Sequence, residues 1–164
     1  MASRLALQHR YPEPPERMRE VLTDQRYLRD KLRAVGGPAA ELVSWDADAR
    51  GVTVVLHQVV PNDALPSFVR AMRPDGLTIR RTETWNSSGG SVHAAVDGVP
   101  GTITGAIRLE PDPAGCVLDA QLTAEVGLPL FGAKVEKAII DGIAGLMETE
   151  YQFTLEWLRD SVAN

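Results

Sequence analysis

Four side chains in this sequence occupy places where the surrounding pattern calls for apolar residues, and any chemistry has to begin with them. Across residues 129–164, at about 100° of turn per residue, Val135, Ile139, Ile143, Leu146, Met147, Tyr151, Thr154 and Leu158 fall in one broad arc. Lys137, Asp141, Glu148, Gln152, Glu156 and Arg159 gather opposite. Glu150 sits near the middle of the apolar arc. A carboxylate buried without a partner costs several kcal/mol, so Glu150 is paired, protonated, lining a wet cavity, or turned outward by a kink or roll of the helix. Arg81 and Glu83 share one face of a β-patterned run with Leu77, Ile79 and Trp85. Either that face is solvated at its middle, with Thr82 and Thr84 turned inward and an ion pair worth at most ~1 kcal/mol, or it borders a cavity. The threonines tip the expectation toward the solvated face. His9, the fourth, alternates with Leu5, Leu7 and Tyr11. A carboxylate, an imidazole and an arginine around one cavity would orient a polar substrate and move protons.

Other chemistries find less support. His9, His57 and His93 lie in three different strand-like runs, none with a second ligand at metal spacing, so neither a metal nor a cofactor is expected. Gly98-Val-Pro-Gly101 lacks the lysine of a phosphate loop, and Pro100 removes one of the N–H donors such a loop uses. Cys116 has no partner for an internal disulfide and opens an apolar-alternating run, which reads as packing. No residue is assigned a catalytic role.

Positioning these groups takes a sheet and a long helix. Residues 3–11 alternate with the two-residue period of a half-buried strand, and Pro12, Pro14 and Pro15 end it. Residues 16–22 read as a short helix, and Thr23 or Asp24 caps a second that reaches Lys31 to Arg33 before Gly36-Gly37-Pro38. Six strands follow over 41–46, 52–60, 77–86, 91–96, 102–110 and 116–126, separated by turn chemistry such as Ser87-Ser88-Gly89-Gly90. The last segment, some thirty residues or roughly 45 Å of helix, is long enough to cross a whole sheet. The order is strand, two helices, six strands, helix: an α+β chain read as one domain over 1–164, with a curved antiparallel sheet of about seven strands around the last helix.

In an antiparallel meander every second connection lies at the same end of the sheet. The polar turns therefore form one end, and 61–75, 97–101 and 127–132 the other. Leu65, Phe68, Val69, Met72, Val99, Leu130 and Phe131 in those three connections are more apolar than exposed loops need. They either plug that end or frame a gated mouth. Ile103 and Ile107 share a strand face with Gly105, and Leu122 shares one with Ala120 and Ala124. Small residues among large ones leave room under the helix or let the helix approach closely. If there is a cavity, its expected wall and mouth comprise Leu65, Phe68, Met72, Ile79, Arg81, Trp85, Val99, Ile103, Ile107, Leu122, Leu130, Phe131, Ile139, Ile143, Met147 and Glu150.

A net charge of −5 spread along the chain leaves no basic face to neutralise phosphates, so nucleic acid is not an expected partner. No apolar run approaches the ~18 residues of a membrane span, and residues 1–11 alternate where a signal peptide would be apolar, which points to a cytoplasmic protein. The sequence does not indicate an oligomeric state.

Tyr11-Pro-Glu-Pro-Pro-Glu-Arg17, Arg81-Thr-Glu-Thr-Trp85, Val99-Pro-Gly-Thr-Ile-Thr-Gly105 and Leu128-Pro-Leu-Phe-Gly132, with Lys134 and Glu136, resemble a bacterial START-like family that carries only a domain-of-unknown-function label. The order of elements is similar, over essentially the whole chain, to the helix-grip fold of the START-like superfamily of pollen allergens, polyketide cyclases and lipid-transfer domains. That resemblance brings no catalytic residue with it. It implies a hydrophobic cavity between sheet and last helix, and hence a noncovalent binder or carrier of a small hydrophobic molecule, lipid or polyketide-like. The alternatives are a cyclase or aromatase-like enzyme using His9, Arg81, Glu83 and Glu150, and a protein-interaction module whose interior is filled.

Overall fold

The computed structural model describes residues 2–163 apart from Pro38, Pro61 and Pro66. The helix-ending role expected of Pro38, the mouth position of Pro61 and the end of the last helix at Asn164 fall outside the described residues. The chain begins with strand β1 (Ala2–Tyr11), helix α1 (Pro15–Leu22) and helix α2 (Gln25–Val35). Pro14 and Pro15 set the entry to α1, where the first turn can spare an N–H donor. Asp24 caps α2, its Oδ1 accepting the Tyr27 N–H at 2.9 Å.

Strands β2 (Glu41–Asp48), β3 (Gly51–Val60), β4 (Leu77–Asn86), β5 (Gly89–Val96), β6 (Gly101–Asp112) and β7 (Gly115–Val126) form an antiparallel meander. β1 then pairs with β7, giving the order β1-β7-β6-β5-β4-β3-β2 with β1 and β2 at the edges. The register follows side-chain phase: Leu5 faces Leu122, Ile103 faces Ala124, and Trp85 faces Gly90. Between Leu42 and Ser44 the β2 register slips, a bulge on an edge strand.

One element was not anticipated. Between β3 and β4 a 3₁₀ turn (Asn62–Ala64) leads into a two-turn helix, α3 (Ser67–Met72). An interval of that length exceeds an ordinary connection, and the short helix shortens the structureless part.

The last helix, α4 (Gly132–Ala163), crosses the concave face of the sheet. Its buried Val135, Ile140, Thr154 and Leu158 keep the apolar phase seen in the sequence. Three apolar clusters result. Under the C-terminal half of α4 lie Tyr11, Met18, Val21, Tyr27, Trp85 and Leu118. Under its N-terminal half lie Leu65, Leu77, Val96, Ile103 and Ile140. Leu28 and Leu32 of α2 pack on Val54 and Leu56 of β3. Glu136 fastens the start of α4: 2 % exposed, it accepts the Val126 N–H at 2.8 Å. It thereby caps the end of β7, and that charge-assisted hydrogen bond is why it tolerates burial.

Candidate functional site

Between α4 and the sheet the packing is interrupted by two cavities that share the walls Ile79, Ile143 and Leu146. The outer one, about 460 Å³, lies toward the α3 end and is lined by Leu65, Val69, Met72, Leu77, Val96, Val99, Leu128 and Ile139, among others. Its wall thus draws on the connection after β3, the connection after β5 and the one before α4. The Arg73 guanidinium lies against Gly98, where a Cβ would collide with it. The inner cavity, about 100 Å³, is floored by Gln58, Ile79, Arg81, Glu83 and Trp85 of β3 and β4 and roofed by Ile143, Met147, Glu150 and Thr154 of α4.

Strand phase explains why charge reaches this interior. Leu77, Ile79 and Trp85 must face the core, and in a pleated strand Arg81 and Glu83 go with them. The expectation that Thr82 and Thr84 form the inner face is therefore corrected: Thr84 is exposed and Glu83 is buried. The apolar area of Leu77, Ile79 and Trp85 sets the phase, and the polar groups are satisfied where they fall. Trp85 Nε1 donates to Glu83 Oε2 at 3.1 Å, and Arg81 Nε lies 2.8 Å from Glu83 Oε1. That N–H nevertheless points off the oxygen and has no hydrogen-bond acceptor among the described residues.

Glu150 comes down from α4 onto this floor. Its Oε1 lies 3.4 Å from Arg81 Nη1 and 3.7 Å from Lys31 Nζ of α2, and it accepts from Gln58 Nε2 at 3.2 Å. No roll of α4 turns it out; hydrogen bonds from Gln58 and Arg81 and the ion pair with Lys31, from three elements, hold it in. Burial pushes the Glu150 carboxyl up, but Lys31 and Arg81, with the hydrogen bonds from Gln58 and Arg81, outweigh it and hold it below the usual carboxylate range. Burial pulls the Lys31 ammonium down more strongly than Glu150 raises it. For Arg81 the burial effect is overcome by Glu150 and Glu83, which keep the guanidinium charged. Beside them the Thr154 hydroxyl donates to the Glu150 carbonyl at 2.7 Å and accepts from the Tyr27 hydroxyl at 2.6 Å.

His9 also reaches the inner wall, stacked on Tyr151 with ring centroids 4.2 Å apart and its Nε2 3.3 Å from Glu148 Oε2. Burial lowers its pKa despite Glu148, so the imidazole is neutral at neutral pH. Burial pushes the Cys116 thiol up to about 11, with Asp112 adding to the effect, so it is no nucleophile there. Among the described residues no three His, Cys, Asp or Glu side chains gather as a metal ion requires.

Of the residues expected around a cavity, Arg81, Trp85, Ile103, Ile107, Leu122, Met147 and Glu150 stand in the inner wall, and Leu65, Met72, Val99 and Ile139 in the outer one. Ile79 and Ile143 belong to both. Three do not join them. Phe68 instead carries Lys134 Nζ 4.8 Å above its ring, tying α3 to α4. Leu130 is 98 % exposed and Phe131 61 %, because the turn entering α4 takes Leu130 through φ +69° and swings both outward; Leu128 lines the cavity in their place. Lys31 and Gln58 were missed. Both were legible: Lys31 lies between Leu28 and Leu32 on the inner face of α2, and Gln58 continues the buried phase of Val54 and Leu56.

The sequence profile of a family described as "Protein of unknown function (DUF2505)" matches residues 6–158. The chain belongs to the DUF2505 family. It is similar to the uncharacterized protein Rv0481c of Mycobacterium tuberculosis, 29% identical over 118 residues that cover 68% of each chain. Among solved structures it is similar to SA2116, a Staphylococcus aureus protein of unknown function, with a TM-score of 0.65 at 10% identity, covering 100% of this chain and 98% of that one. Protein Ms6760 from Mycobacterium smegmatis gives 0.60 at 15% identity, with 96% and 92% covered. Ara h 8.0201 gives 0.57 at 11%, with 95% and 99% covered. At such identities the likeness is one of fold. This DUF2505 chain has an α+β helix-grip fold.

Proposed function

We propose that this DUF2505 protein binds and carries a small hydrophobic molecule without reacting it. The observation that carries the reading is the outer cavity: about 460 Å³, within the range of small-molecule sites, walled mostly by aliphatic side chains and bordered by three connections at one end of the sheet. An interior packed for stability alone would close such a space, since each unfilled volume forfeits dispersion contacts.

Binding is favoured over catalysis by the state of the polar groups. A general base needs a free lone pair near its working pH, whereas Glu150 is committed to Lys31, Arg81 and Gln58 and held below the usual range. A cyclase-like role would need that carboxylate released.

Thermal melting with a neutral apolar probe, N-phenyl-1-naphthylamine, tests the reading. A ligand at a hundred times its Kd stabilises the folded state by about 2.7 kcal/mol, which for a chain of this size raises Tm by roughly 5–11 °C. An unchanged Tm across a broad set of apolar probes would remove the proposal.

A further inference from the structure

The inner cavity holds a set of charges that is balanced and a pair of hydrogen-bonding atoms that is not. Lys31 and Arg81 supply two cations, Glu83 and Glu150 two carboxylates, and the neutral His9 adds nothing. A further charge of either sign would enter a desolvated space with no countercharge left to meet it. The carboxylate of a fatty acid or the phosphate of a phospholipid is therefore a poor fit there. Two atoms lack hydrogen-bond partners among the described residues: Gln58 Oε1, an acceptor on a side chain 2 % exposed, and Arg81 Nε, a donor. Donation of Gln58 Nε2 to the Glu150 carboxylate fixes the amide's orientation, because a carboxylate accepts and does not donate. Gln58 pairs with Ile79 and Arg81 with Leu56, so the two side chains are diagonal neighbours on one sheet face, and both reach Glu150 Oε1.

Taking the cavity as a ligand site, which is the reading above, we propose that its ligand is a neutral amphiphile whose leading end carries a hydroxyl. That hydroxyl donates to Gln58 Oε1 and accepts from Arg81 Nε, while the apolar body fills the outer cavity between α4 and Val99, Leu65 and Met72. A hydroxyl is the simplest neutral group that both donates and accepts. An ether or ketone accepts only and leaves Gln58 Oε1 bare. A carboxylate does the same and adds charge. Ligands of this class are long-chain alcohols, sterol-like alcohols and hydroxylated polyketides.

The test is displacement of N-phenyl-1-naphthylamine from the wild-type chain by four ten-carbon probes: 1-decanol, decyl methyl ether, decane and decanoate. Leaving a buried acceptor unsatisfied costs enough for the alcohol to bind at least about tenfold tighter than the ether and the alkane. Decanoate should bind weaker than the alcohol. In Gln58→Met, which keeps the bulk but removes the acceptor together with the donor to Glu150, the alcohol's advantage over the ether should vanish. If Gln58→Met does not fold, the wild-type series decides alone. Equal affinities for alcohol and ether overturn the hydroxyl assignment but leave the cavity reading intact, as does tightest binding by decanoate. Failure of the fluorescent probe and all four compounds to bind overturns the cavity reading and this inference with it.

Discussion

Replacing Glu150 with glutamine removes one charge and almost no volume, so its effect isolates the ion cluster. In the wild-type chain Lys31, 5 % exposed, has Glu150 as its carboxylate partner, whereas Arg81 retains Glu83 at 2.8 Å when Glu150 is gone. The cost therefore falls on Lys31. Breaking a buried pair from one side typically costs about 3–5 kcal/mol. A ceiling comes from stripping the stranded ammonium of its proton, about 4.6 kcal/mol at pH 7 for an unfolded-state pKa of ~10.4. With Gln58 still able to donate to the new amide oxygen, the lower end applies: about 3 kcal/mol, or a Tm fall of roughly 6–12 °C. The sign of the pH dependence follows from a folded-state pKa below the unfolded one. Glu150 contributes fully above its unfolded value near ~4.3, and the contribution is lost as pH falls through the folded value. The gap between wild type and Glu150→Gln should thus be widest near neutrality and close in acid, measured by urea unfolding across pH. Adding Lys31→Met should recover most of the loss, since two apolar or neutral groups then replace two charges. A Glu150→Gln variant as stable as wild type at pH 7, or more stable, would refute the paired-carboxylate account and point to a protonated or solvated acid.

Smaller perturbations probe the frame around the site. Gly90→Ala would bring a Cβ to 2.9 Å from the Trp85 ring, so the denaturant midpoint should fall by the equivalent of about 1–3 kcal/mol with the slope unchanged. Asp24→Ala removes the cap of α2 and should cost about 1 kcal/mol, seen as a Tm lower by roughly 2–4 °C. Cys116, buried and pushed up to about 11, should resist an aromatic disulfide reagent at pH 8 in the folded chain and react once denatured; prompt reaction of the native protein would contradict its burial.

Most of the fold was legible because strand phase and helix phase are set by apolar spacing. Leu5, Leu7, His9 and Tyr11 share the inner face of β1 as their alternation implied, and Val135 through Leu158 keep one arc of α4. The site was legible only where a single element carried the signal. Glu150 stood out within its own helix, whereas its partners Lys31 and Gln58 carried the same kind of signal, polar groups in the buried phase of α2 and β3, and were passed over because each could also be read as a side chain reaching solvent. Arg81 and Glu83 were misjudged for a related reason. A strand with threonines on one face and charges on the other is ambiguous alone, and the tie is broken by Trp85 and by the donors that arrive from elsewhere. At the mouth, composition marked Leu130 and Phe131 as apolar but could not foresee the left-handed turn at Leu130 that points them to solvent.

Ile143 is in the wall of both cavities, so widening it to tryptophan should fill the shared space while leaving the buried charges of Glu150 and Arg81 in place. Fluorescence titration of N-phenyl-1-naphthylamine into wild type and Ile143→Trp tests the ligand cavity most directly. The account predicts saturable one-to-one binding at micromolar concentration to wild type, and loss of that binding in a variant whose far-ultraviolet circular dichroism is unchanged. Identical titrations for the two proteins, or no saturable binding to wild type, would contradict it.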